Sequence, residues 1–152
     1  MTKRKPIDHA IKLLSKRDYS QHGLSVKLKE TYPLHEILAM MPHLIETGFL
    51  NDARFAEQFI YSRRNKGYGP KRIKTELEMH GISKEIIAEQ LNITDNAWLV
   101  EAEKVWRKKF KGNYPQNIKL RAKQMHFLYY RGFTEEQIES IIPKKIDYHY
   151  EL

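Results

Sequence analysis

The chain has 152 residues, 41% hydrophobic and 30% charged, and no cysteine. That length suits one domain or a few small packed modules, and the absence of thiols excludes disulfides, cysteine metal sites and thiol nucleophiles while agreeing with a reducing compartment. A net charge of +8 points to an anionic partner; no apolar run follows the basic start as in a signal peptide, and none reaches the ~18 residues of a membrane span, so a soluble cytoplasmic protein is expected.

Taken in chain order, Ile7, Ala10, Ile11 and Leu14 fall at helical spacing and predict a helix over about 7–16. A short second helix carries Leu24 and Leu28. It ends at Tyr32-Pro33, because proline disfavours helical geometry in the residue before it. A third helix over 34–46 presents Ile37, Leu38, Met41, Leu44 and Ile45, with Pro42 expected to kink or split it. Asn51 or Asp52 then offers a side-chain cap to a fourth helix that buries Phe55, Ala56, Phe59 and Ile60. Gly67 stops it, Pro70 opens the next helix with Ile73 and Leu77 inward, and Gly81 stops that one in turn. Ser83 caps a helix burying Ile86, Ile87 and Leu91.

The last third starts near Asp95, with Leu99, Ala102, Val105, Trp106 and Phe110 on one face. Lys111-Gly112-Asn113 breaks that helix and Pro115 is expected to restart one. Its stripe is Ile118, Ala122, Met125, Leu128 and Tyr129, and its stop is Gly132. Thr134 and Gln137 have the spacing of a capping box ahead of Ile138, Ile141 and Ile142. Gly81-Ile-Ser-Lys-Glu-Ile-Ile87 thus reads like Gly132-Phe-Thr-Glu-Glu-Gln-Ile138, with Leu77 and Leu128 each four residues earlier. Self-similarity at such a period marks a stack of supersecondary units. The predicted fold is all-α, an elongated array of three tandem three-helix repeats over 1–50, 51–94 and 95–143, with a tail at 144–152. The first repeat has Tyr32 where the others have glycine.

No chemistry is evident. The seven histidines have no ligand spacing, no phosphate loop or nucleophile elbow occurs, and Asp52 reads as a helix cap rather than an acid. The charge pattern says more. Arg63 to Lys74 holds six basic residues and no acid, and Lys104 to Arg131 holds nine and no acid, whereas solvated helices interleave signs. The candidate partner-facing residues are Arg63, Arg64, Lys71, Arg72, Lys74, Lys108, Lys109, Lys119 and Lys123. Tyr68 and Tyr114, in the loops between helices, are the aromatics best placed to stack on a single strand. Phe55, Ala56, Leu77, Gly81 and Gly132, with Asp52, are the structural positions of the repeat.

Gly48-Phe-Leu-Asn-Asp-Ala-Arg-Phe-Ala56, Gly67-Tyr-Gly-Pro-Lys-Arg-Ile73, Glu76-Leu77 and Gly81-Ile82, with Leu13-Leu-Ser-Lys-Arg-Asp-Tyr-Ser20 and Tyr130-Arg-Gly-Phe133 on either side, resemble the RecX family of regulatory proteins. The resemblance spans nearly the whole chain in order, and the central block is the specific part. It implies a bacterial modulator of RecA recombinase, built of three-helix repeats. Such a protein lies in the groove of the RecA–DNA filament, restrains its activities in recombination and the SOS response, and favours its disassembly. It implies no catalytic residue and no cofactor. The expected partners are the RecA filament and, through the basic faces, single-stranded DNA, met by a monomer. The other reading of small three-helix units is a direct DNA-binding protein of helix-turn-helix type, although no helix carries a clear row of Arg, Asn or Gln for base edges.

Overall fold

The computed structural model describes residues 4–143, so the tail expected at 144–152 lies outside them. Among the described residues there are nine α-helices and no strand. They are α1 (Pro6–Lys16), α2 (Gln21–Leu28), α3 (Leu34–Glu46), α4 (Asp52–Asn65), α5 (Pro70–Met79), α6 (Lys84–Gln90), α7 (Ala97–Phe110), α8 (Ile118–Arg131) and α9 (Glu135–Ile141). They form a tandem three-helix array. By packing the described residues divide into two compact units, one joining residues 4–59 to Leu77–Gln90, the other joining Ile60–Glu76 to residues 91–143. α4 and α5 contribute to both.

In the first unit, Ala10, Leu24, Leu28, Ile37, Met40, Met41, Leu44 and Leu50 form one buried cluster. Phe55, Ala56 and Leu77 are buried as well. Ser20 starts α2, its hydroxyl accepting from the Gly23 amide at 3.0 Å. Pro42 does not split α3, which runs unbroken from Leu34 to Glu46. The bond that Pro42 removes is the one to the Leu38 carbonyl, and Leu38 is 57% exposed, so solvent can satisfy it. Leu38 and Ile45 therefore lie outside the buried stripe expected of them.

Of the two candidate caps for α4, Asn51 is used and Asp52 is not. Asn51 caps α4, its Oδ1 accepting from the Arg54 amide at 3.0 Å. The Asp52 carboxylate turns the other way and accepts the Gln21 amide at 2.8 Å, at the first turn of α2. Asp52 is thus a cap borrowed by a helix of the preceding repeat. Burial raises the Asp52 pKa, and the bond from Gln21 partly offsets this.

In the second unit, α7 packs on α8 and α9 through Trp98, Ala102, Trp106, Leu128, Phe133, Ile138 and Ile142. Thr134 and Gln137 close the expected capping box. Two expectations about α8 fail. Pro115 does not open it: Asn117 does, accepting the Leu120 amide at 2.8 Å. The buried side also matches the apolar stripe only at Leu128, since Ile118 is 73% and Tyr129 59% exposed while Gln124 is buried. Gln124 accepts the Trp106 indole N–H at 2.8 Å and donates to the Asn113 carbonyl at 2.9 Å, which holds the loop before α8. A polar residue takes the core position because it satisfies both partners.

The same joint occurs once in each unit. In the first, the turn after α5 receives the start of α2: Ser20 donates to the His80 carbonyl at 2.7 Å, and a Cβ on Gly81 would lie 2.5 Å from the His22 Cβ. In the second, the turn after α8 receives the start of α5: Lys71 donates its amide to the Gly132 carbonyl at 2.9 Å, and a Cβ on Gly132 would collide with Arg72. Gly81 and Gly132 have φ of +74° and +101°, so each glycine is required both by backbone conformation and by the neighbour packed on it. Tyr32, in the equivalent place of the first repeat, instead meets His9 of α1 through its hydroxyl at 3.2 Å.

Candidate functional site

The candidate cations fall into separate groups, all within the second unit. Arg63 and Arg72 are engaged internally. Arg63 Nε lies 3.0 Å from one Glu76 oxygen and Arg72 Nε 3.2 Å from the other, and the Arg72 guanidinium lies 4.0 Å from the centre of the Tyr68 ring. The Arg131 guanidinium is 5.4 Å from the same ring. Tyr68, expected as a stacking platform, is half-buried among arginines. Arg63 and Arg72 thus share the carboxylate of Glu76.

Arg64 is separated from its neighbour Arg63. It lines a cleft of about 470 Å³ together with Lys108, Lys109, Lys104, Phe127 and Arg131. Arg63-Arg64 and Lys108-Lys109 each end a helix ahead of a Gly-x-x-Pro in the sequence, and the structure brings Arg64 and both lysines to one cleft. Lys104 and Arg131 belong to the acid-free block but fall outside the chosen set. The usable signal is spacing: Glu101, Lys104 and Lys108 share one face of α7, as Phe127 and Arg131 share one face of α8.

Lys71 and Lys74 are exposed near the start of α5, Lys71 with its ammonium 5.9 Å from the Tyr129 ring centre. Lys119 and Lys123 are exposed on α8. Lys123 borders a second cleft of about 600 Å³ with Tyr114 and Leu120. Tyr114 is exposed, and its ring lies 4.9 Å from that of Trp106. Arg64, Lys71, Lys74, Lys108, Lys109, Lys119 and Lys123 make no ion pair among the described residues. Unneutralised cations on helix surfaces are a binding feature for phosphates or carboxylates. Among the described residues, no three His, Cys, Asp or Glu side chains are grouped to hold a metal ion, and no helix is long and apolar enough to cross a membrane.

Residues 51–91 match the model of the RecX second three-helix domain, and residues 100–142 that of the third. The regulatory protein RecX of Pseudomonas entomophila is 37% identical over 134 residues, which cover 88% of this chain and 86% of that one. This chain belongs to the RecX family. The regulatory protein RecX of Pseudomonas tolaasii is 36% identical over the same share of both chains. The crystal structure of RecX from Lactobacillus salivarius superposes with a TM-score of 0.77 over 90% of this chain and 92% of that one, at 21% identity, which speaks for the RecX fold. Of the two joint glycines described above, Gly81 lies in the matched second domain and Gly132 in the matched third. A RecX-family chain is a regulatory protein, consistent with a regulator of RecA.

Proposed function

We propose that this chain binds the RecA–DNA filament and restrains or remodels it, modulating recombination and the SOS response. The observation that carries the reading is the match to regulatory RecX proteins along most of both chains. The unpaired cations support it, because a nucleoprotein filament is polyanionic. The repeats over 1–50, 51–94 and 95–143 act as successive modules, each meeting the next stretch of filament, so every contact raises the effective concentration for the following one. The protein works by binding rather than by catalysis, without a cofactor, as a cytoplasmic monomer. Arg64, Lys71, Lys74, Lys108, Lys109, Lys119 and Lys123 contact the filament, while Arg63 and Arg72 keep the joint in shape. The test is a pull-down against RecA with and without single-stranded DNA and ATP. Retention only when the filament is assembled supports the proposal; equal retention by DNA alone transfers it to the helix-turn-helix reading.

A further inference from the structure

The cleft beside Arg64 has a composition that the other basic surfaces lack. The end of α4 contributes Arg64, α7 contributes Val105 and Lys108 from one face, and the last turns of α8 contribute Phe127 and Arg131. Its volume of about 470 Å³ falls within the ~300–1,000 Å³ usual for small-molecule sites. Glu101 is its one acid, and Lys104 answers it at 3.6 Å. Arg64, Lys108, Lys109 and Arg131 have no carboxylate partner among the described residues. The C-terminal ends of α4, α7 and α8 oppose them with only about half a negative charge each. One of those ends is already answered, since Arg131 donates to the Lys66 carbonyl at 3.2 Å. Positive potential therefore dominates, and a concave apolar wall focuses it.

The floor is apolar. Phe127 is fixed by an edge-to-face contact with Phe110 at 5.4 Å, and Val105 lines the same cleft. The Lys109 ammonium and the Arg131 guanidinium lie 5.5 Å and 5.3 Å from the Phe127 ring centre, so ring and charge are presented together. Guanidinium and ammonium groups suit phosphate oxygens, and an aromatic floor suits the face of a base.

We propose that this cleft binds a nucleotide unit, its phosphates on Arg64, Lys108 and Arg131 and its base against Phe127 and Val105. A free nucleoside triphosphate and a nucleotide within a single strand present the same chemistry. The assignment goes beyond the filament reading and does not depend on it, because it is a property of the chain alone.

The experiment titrates the isotope-labelled full chain, without RecA, with ATP, a short oligo-dT and inorganic tripolyphosphate, and maps amide shifts by NMR. ATP or oligo-dT shifts Arg64, Val105, Lys108 and Phe127, and binds at least tenfold more tightly than tripolyphosphate. The two nucleotide arms, and their competition, identify the source. The Arg64→Glu, Lys108→Glu double variant binds at least tenfold more weakly, while Lys84→Glu, exposed on α6 and outside the cleft, binds as wild type. The map is made on the wild-type chain, so it stands whether or not the double variant folds. Shifts confined to other residues, tripolyphosphate binding as tightly as both nucleotides, or equal weakening by Lys84→Glu would overturn the assignment.

Discussion

The Lys71 amide donates to the Gly132 carbonyl at 2.9 Å, joining the start of α5 to the turn that ends α8. No side chain fits between these segments, because a Cβ on Gly132 would lie 2.7 Å from the Arg72 nitrogen. Gly48 is the useful contrast, with φ of +82° but nothing within 4 Å of its would-be Cβ. Gly48→Ala should cost roughly 1–2 kcal/mol, the left-handed strain alone. Gly132→Ala adds overpacking of roughly 1–3 kcal/mol to a similar strain. Chemical denaturation of the two variants should place Gly132→Ala clearly lower; equal losses would mean that the joint gives way freely.

Asp52 gives a pH prediction. Its folded pKa is raised by burial above the ordinary 3.8. The folded state therefore holds this proton more tightly than the unfolded chain. That contribution to stability is complete below 3.8 and is lost as pH rises through the folded value. Asp52→Asn keeps an acceptor for the Gln21 amide but does not titrate. The variant should gain on wild type as pH rises from 3 to 6 in parallel denaturation curves (both pH limits are about one to two units around the ordinary value). A constant difference across that range would contradict the burial argument. Asp52→Ala, which leaves the α2 amide without its acceptor, should lose about 0.5–2 kcal/mol at neutral pH.

Helix periodicity and caps made most of the fold legible, down to the bounds of α3 at Leu34 and Glu46. α8 was legible only in part: Leu128 is buried as its spacing predicts, whereas Ile118, Ala122 and Tyr129 lie on the exposed side and a glutamine takes the other buried position. No pattern of apolar spacing reveals a core residue chosen for its amide. Asp52 misled for a related reason: an acid at a helix start caps that helix by local rules, and only the tertiary joint sends its carboxylate to Gln21. The cations were legible as a block. Their partners were not, since Glu76 meets Arg63 thirteen residues away and the cleft assembles from three helices.

Gln124→Leu fills similar space but strands the Trp106 indole N–H and the Asn113 carbonyl. Leaving a buried donor unsatisfied costs about 1–3 kcal/mol. Thermal melts should show that loss, and near-ultraviolet circular dichroism should report a changed tryptophan environment. A variant as stable as wild type would mean that solvent reaches the indole.

Charge reversal should separate surface from joint. Lys71→Glu with Lys74→Glu touches exposed groups, and such changes usually alter stability by about ±0.5 kcal/mol each. Adding Arg72→Glu sets a second acid beside Glu76 and removes the cation over Tyr68. Losing a cation–π contact of about 0.5–1 kcal/mol on top of the ion pair should lower the melting temperature visibly only in the triple variant. Equal melting of the double and triple variants would return Arg72 to the free surface.

Filament binding is decided by comparing three affinities at one salt concentration: for assembled RecA–DNA filament, for free RecA and for bare single-stranded DNA. The filament should be bound at least tenfold more tightly than either component, because several modules engage at once. The Lys71→Glu, Lys74→Glu variant should lose filament affinity while melting as wild type. Equal affinity for bare DNA and filament would contradict this reading.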